Sequence, residues 1–170
     1  MKAEDDAGYR EFARAKTLAL RRTAYLLCGD WHLAEDLVQT ALMKLYGAWP
    51  RVRTSQAVDK YTRQILLRCW LDEQRKPWRR RERRDGVVPE AGYVEKATGV
   101  SEVLLKALAQ VPKKQRAAVV LRYCADLSIA EVAATLRCSV GTVKSQTSRG
   151  LEILRAIVDR EEIPVAEGSF

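Results

Sequence analysis

Residues 128–149, SIAEVAATLRCSVGTVKSQTSR, decide how this chain folds. Ser128 and Glu131 stand three apart at the head of an apolar run. That is the spacing of a capping box, in which side chains take up the first free N–H groups of a helix. Ile129, Val132, Ala133 and Leu136 then fall on one face at 100° per residue. Arg137-Cys138 interrupts the stripe, and Ser139 offers a second N-cap. The stretch therefore predicts a helix over 128–136, a tight turn, and a second helix over 139–158. On the second helix Val140, Val143, Thr147, Leu151, Leu154 and Val158 form a stripe expected to pack inward. Geometry then turns Thr142, Ser145 and Arg149 outward, with Lys144, Gln146 and Ser148 beside them. No carboxylate occurs on that face before Glu152, so its first turns carry only hydrogen-bonding and cationic groups. Such a face suits the major groove of duplex DNA, where side chains meet base edges and phosphates. A capped amphipathic pair that never touches DNA is the plainer alternative, and the acid-free turns argue against it.

Working outward, a helix over 113–124 is expected to bury Ala117, Val120, Leu121 and Cys124. It begins with Lys113, Lys114 and Arg116, which would lie at phosphates. Helical periodicity also covers 7–28, 31–48, 57–76 and 101–110, and no alternating strand pattern occurs. Between 76 and 101 the sequence DGVVPEAGYVEKATG has glycine, proline and acidic residues but no sustained stripe. The expected fold is all-α: two small helical domains, 7–84 and 101–160, joined by a flexible linker over 85–100, the second a helix-turn-helix domain. Residues 161–170 form a polar tail. No apolar run approaches the roughly 18 residues of a membrane span, and MKAEDDAGYR has no signal-peptide layout. The expectation is a cytoplasmic protein with no membrane insertion.

Charge narrows the function. The net charge is +8. Residues 1–50 balance at 7 basic and 7 acidic groups, whereas residues 51–84 carry 12 basic and 4 acidic. An excess concentrated in one stretch points to a polyanionic partner meeting that stretch. Cys28, Cys69, Cys124 and Cys138 are scattered, without a C-x-x-C pair, and His32 is the one histidine of the chain, so no metal site is expected. There is no phosphate-cradling glycine loop, no metal-spaced carboxylate pair and no nucleophile beside a base. No cofactor, no small-molecule substrate and no catalytic residue are therefore assigned.

Two further faces stand out. In residues 31–49, Ala34, Leu37, Val38, Ala41, Leu45, Ala48 and Trp49 make a wide apolar stripe. Asp36, Gln39, Thr40 and Met43 stand opposite, and an exposed methionine among polar groups suits a protein contact. In residues 57–76, Leu66 and Trp70 point one way and Tyr61 and Ile65 another, while Gln64, Arg68, Asp72 and Arg75 share a polar strip. Aromatics beside cations suit single-stranded DNA, because bases stack on rings while phosphates meet arginines. Tyr61, Arg63, Arg68 and Arg75 are the candidate contacts; Trp70 reads as core. The run RKPWRRRERR, 75–84, reads as a phosphate-contacting extension, with Pro77 ending or kinking the helix before it.

The segment VPKKQRAAVVLRYCADLSIAEVAATLRCSVGTVKSQTSRGLEILR, 111–155, resembles the fourth conserved region of extracytoplasmic-function sigma factors, within the bacterial sigma factor family. CGDWHLAEDLVQTALMKLYGAW, 28–49, resembles the same family's second region, whose hallmark is a D-L-x-Q helix, here Asp36 to Gln39. The two matches stand in the expected order with the linker between them. The resemblance implies an alternative RNA polymerase subunit that selects promoters. On that likeness the face of Asp36, Gln39, Thr40 and Met43 docks on the clamp helices of the largest core subunit. The helix bearing Thr142, Lys144, Ser145, Ser148 and Arg149 grips the −35 duplex. The basic helix and its preceding loop, near Pro50 to Lys60, capture an unpaired base of the −10 element, and the linker lies in the RNA exit path. It also implies an anti-sigma factor, a small helical partner covering the polymerase-binding surfaces. Arg68 stands where many relatives have asparagine, so the family's −10 preference does not transfer.

Other readings remain in play at this point. A stand-alone duplex-binding regulator would share the C-terminal pattern but would have no use for the D-L-x-Q face or the basic aromatic helix. A nucleic-acid-processing enzyme lacks any supporting constellation. A sigma-like protein that only sequesters a partner differs from a working one in whether transcription starts.

Overall fold

Gly29 and Asp30 make the first chain reversal. Gly29 takes the left-handed conformation, φ 70° and ψ 5°, that glycine adopts without steric cost, and ends helix α1, Ala3–Cys28. Its N–H donates to the Tyr25 carbonyl at 2.8 Å. Asp30 then caps α2, Trp31–Val52, accepting the Leu33 N–H at 3.0 Å. With one residue closing a helix and the next opening another, α1 and α2 must double back on each other. Helix α3, Val58–Gln74, packs against both. The computed structural model describes residues 2–76 and 99–161. The chain divides into two compact units, Met1–Thr98 and Gly99–Phe170. Among the described residues there is no strand. The expected linker, most of the basic run 75–84 including Pro77, and nearly all of the tail lie outside the described residues.

The core of the first unit forms where the three stripes meet. Ala34, Leu37, Val38, Ala41, Leu45, Ala48 and Trp49 of α2 are all buried, as are Leu20, Leu26 and Leu27 of α1 and Ile65, Leu66, Leu67 and Trp70 of α3. Trp70 is thus a core residue, 3% exposed. Trp49 holds the open end of the bundle, with the rings of Tyr9 and Phe12 at 5.7 and 5.4 Å. α1 begins at Ala3, a full turn before the expected start, because Glu4, Asp5 and Asp6 offset the positive end of the helix dipole.

In the second unit Ser101 caps α4, Glu102–Ala109, and α5 spans Lys113–Val119. Arg116, expected at a phosphate, turns back instead, and its Nη2 donates to the carbonyls of Ala109 and Val111 at 3.1 and 3.2 Å. It ties the α4–α5 corner. Helix α5 does not end at Val119 but widens into a π turn, Val120–Cys124. Ala125 N–H reaches the Val120 carbonyl at 2.9 Å and Leu127 N–H the Leu121 carbonyl at 3.0 Å. A wider turn rotates every following side chain backward. Cys124, expected inside, is therefore exposed, and Ala125 and Leu127 take the buried places at 2% and 0%.

The predicted helix-turn-helix is present as α6, Ile129–Leu136, and α7, Val140–Glu161. Ser128 Oγ accepts the Glu131 N–H at 3.1 Å and its hydroxyl lies 3.0 Å from Glu131 Oε1. Arg137 closes α6 in the left-handed region, φ 54° and ψ 48°, and Ser139 Oγ accepts the Thr142 N–H at 3.0 Å.

Candidate polymerase and nucleic-acid interfaces

On α2 the four residues singled out from the sequence all face outward: Asp36, Gln39, Thr40 and Met43 are exposed. Met43 is 74% exposed, the most open of the large apolar side chains among the described residues. The packing of α3 beside α2 turns this face into one wall of a groove of about 360 Å³. Its other wall is Cys69, Asp72, Glu73 and Lys76 of α3, which sequence reasoning did not connect to the D-L-x-Q face. Nothing in the periodicity of either helix alone could have joined them, because the groove exists only through their packing. The walls are chemically uneven. Asp36, Asp72 and Glu73 bring carboxylates, Lys44 and Lys76 bring ammonium groups, and Lys76 Nζ meets Glu73 Oε1 at 3.3 Å. Thr40 spends its hydroxyl on the Asp36 carbonyl, 2.9 Å away. Burial pushes the Cys69 thiol up from its ordinary value, against the opposing pull of Lys44.

On α3 the structure brings together three of the four proposed single-strand contacts. Tyr61 is half-buried, with its ring at the edge of the strip that holds exposed Arg68 and Arg75. Among the described residues neither arginine makes an ion pair. Arg63 does not join them. It lies roughly 160° around the helix from Tyr61 and is half-buried on the packed side. The loop before α3, residues 53–57, is fully exposed and is braced by Ser55, whose N–H bonds the Val52 carbonyl at 2.9 Å and whose Oγ accepts the Ala57 N–H at 3.1 Å.

On α7 the inward stripe differs from the expected one. Val140 is 43% exposed, and the buried line runs through Val143, Gly150, Leu154 and Ile157. The core thus faces a direction roughly 50° around the helix from the predicted one. Gly150 was missed because it has no side chain to register in a hydrophobic pattern. It is instead a point of close approach to α5: a Cβ there would lie 2.7 Å from Val119 Cγ2. The candidate contacts survive this rotation. Thr142, Lys144, Ser145, Ser148 and Arg149 are all exposed, while Gln146 is half-buried. Thr142 Oγ1 lies 2.8 Å from Ser139 Oγ, and the Ser145 hydroxyl donates to the Thr142 carbonyl at 3.3 Å. These two hydroxyls are held within the first turns, which leaves Arg149 and Lys144 as the long, free-reaching cations of the face.

An exposed D-L-x-Q groove in one unit and a capped helix-turn-helix in the other coincide with two family descriptions. Sigma-70 region 2 matches residues 14–80 and sigma-70, region 4 matches residues 101–154. The chain belongs to the sigma-70 family. It is an alternative sigma factor of the extracytoplasmic-function kind, which acts in transcription initiation. It is similar to the RNA polymerase sigma-E factor of Streptomyces avermitilis, 32% identical over 91% of this chain and 87% of that protein. It is similar also to the extracytoplasmic-function sigma factor SigW of Bacillus subtilis, at 27% identity over 77% of this chain and 78% of that one. Among solved structures it resembles the sigma factor RpoE bound to the anti-sigma factor NepR from Bartonella quintana, with a TM-score of 0.67 and 27% identity over 88% of this chain and 98% of that chain. CnrH in complex with the cytosolic domain of CnrY shares the fold, with a TM-score of 0.61 and 18% identity over 89% and 88% of the two chains. No helix among the described residues is long and apolar enough to cross a membrane.

Proposed function

We propose that this sigma factor divides promoter recognition between its units and works in the cytoplasm. Residues 7–84 attach to core polymerase and read the −10 element, 85–100 link, 101–160 read the −35 element, and 161–170 are a tail. The α2–α3 groove, through Asp36, Gln39, Thr40 and Met43, seats the clamp helices of the largest subunit. What supports this is a mixed-charge groove with an exposed methionine at its rim. Helix α7 enters the major groove of the −35 duplex, with Arg149 addressing a base edge and Lys144 a phosphate. Helix α3, through Tyr61, Arg68 and Arg75, follows the melted −10 strand, and the loop ahead of it takes an unpaired base. Extruding a base costs a few kcal/mol, which stacking and a pocket repay, so opening needs no nucleotide hydrolysis. An anti-sigma factor, as RpoE has in its solved complex, would silence it by covering these surfaces. The test is transcription with purified bacterial core polymerase on a library of randomised promoters. Enrichment of paired −35 and −10 sequences is the expected result; no transcript above core alone would overturn the reading.

A further inference from the structure

The loop that follows α2 sits at the end of a weakened helix. Pro50 lies inside α2 and cannot donate a backbone hydrogen bond to the preceding turn, yet the helix runs on to Val52. The last turn is closed by the Arg53 N–H on the Trp49 carbonyl at 2.9 Å. The bonds made by Ser55 shape the loop internally, but every residue from 53 to 57 is exposed, so they do not anchor it to the body of the unit.

Two ion pairs from α1 do. Arg53 Nε lies 2.8 Å from Asp5 Oδ1, and the Asp5 side chain is only 8% exposed. Lys16 Nζ lies 3.2 Å from Asp59 Oδ1. One pair grips the residue where the chain leaves α2, and the other grips the first turn of α3. Asp5 and Lys16 are three turns apart on α1, so a single rigid rod holds both ends of the loop. That rod is itself in register with α2. The Tyr9 hydroxyl donates to the Leu42 carbonyl at 2.8 Å, the Tyr46 hydroxyl donates to Asp6 Oδ1 at 3.2 Å, and Tyr9 and Phe12 clasp Trp49. A carboxylate as buried as Asp5 is costly unless it is paired, and among the described residues Arg53 stands at ion-pair distance from its Oδ1, without hydrogen-bond geometry.

We propose that Asp5 and Lys16 are positioning residues which, through Arg53 and Asp59, set the 53–57 loop in the shape that receives the unpaired −10 base. The inference rests on the reading of that loop as the base-capturing element. A loop fixed before it meets DNA captures the strand without first paying to order itself.

The experiment uses the full chain with core polymerase, on a promoter enriched from the randomised library. Asp5→Asn and Lys16→Gln are compared with the parent in three ways: amide exchange of residues 53–58 in the free chain, permanganate reactivity of −10 thymines in the holoenzyme complex, and competition for core. Faster loop exchange with strand opening reduced by about threefold or more, and competition for core unchanged, is the expected result. Reversing the more exposed pair, Lys16→Asp with Asp59→Lys, should restore opening that Lys16→Asp alone removes. Unchanged exchange in both single variants would overturn the positioning role. Faster exchange with undiminished opening would overturn the loop's part in base capture, and the proposal with it, while leaving the ion pairs as structural ties.

Discussion

Gly150→Ala sets two opposed effects against each other at one position of α7. Alanine is the better helix former by about 1 kcal/mol, so on an open face the change would stabilise. Gly150 does not lie on an open face: an added Cβ would meet Val119 Cγ2 at 2.7 Å and the Gln115 carbonyl oxygen at 3.2 Å. Val119 is 1% exposed and β-branched, and the carbonyl belongs to the α5 backbone. Neither can yield unless α5 and α7 move apart. Overpacking of that kind costs about 1–3 kcal/mol, which outweighs the helix gain and leaves a net loss of roughly 1 kcal/mol. The loss should be confined to the second unit. All four tryptophans, Trp31, Trp49, Trp70 and Trp78, precede residue 99, so tryptophan fluorescence follows the first unit while far-UV circular dichroism follows both. Denaturant titration should move the dichroism transition and leave the fluorescence transition in place. Removing Val119 Cγ2 supplies the decisive comparison: in a Val119→Ala background, Gly150→Ala should become neutral or stabilising, a coupling of about 1 kcal/mol or more. Equal effects of Gly150→Ala in both backgrounds would refute the steric account.

Asp36→Ala combined with Gln39→Ala should weaken competition for core polymerase severalfold while helicity and duplex DNA binding stay unchanged, since both residues are exposed on the groove wall; unaltered competition would remove the groove from the polymerase interface. Arg149→Ala should lose about 1–3 kcal/mol of discrimination at one −35 position, whereas Lys144→Ala should weaken binding nearly evenly across sequences. A panel of −35 substitutions at fixed salt reads both, and the reverse pattern would mean that α7 docks in another orientation. The Cys69 thiol is raised above its ordinary value of 9.0 by burial. The unfolded chain therefore ionises first, so the stability this group contributes is complete below about pH 9 and drains away above it. Cys69→Ala should flatten the alkaline decline of the fluorescence-monitored transition, and an unchanged slope would show that the thiol is not linked to folding.

Much of this architecture could be read before any coordinates. The capping serines Ser128 and Ser139, the apolar stripe of α2 and the core position of Trp70 all follow from local rules. A cap needs only its own side chain and an N–H three residues on, and a stripe needs only 3.6-residue periodicity. Errors arose where the local rule was interrupted. Cys124 turned outward because one π turn displaced the pattern after Val120. Val140 stayed exposed because the line of contact on α7 passes through Gly150, which carries no hydrophobic signal. Arg116 was read as a surface cation, but the α4–α5 corner left two carbonyls that its guanidinium could satisfy.

The candidate surfaces separate along the same line. The outward faces of α2 and α7 were determined by sequence periodicity, because a helix that must bury one side has no choice about the other. The roughly 160° that separates Arg63 from Tyr61 on α3 likewise follows from helical periodicity alone. The second wall of the α2–α3 groove and the two ion pairs that brace the 53–57 loop were decided by packing. Each joins residues from different helices. Such neighbours are set by crossing geometry and by the close approach that small residues permit, and neither is written in the local pattern of any one helix.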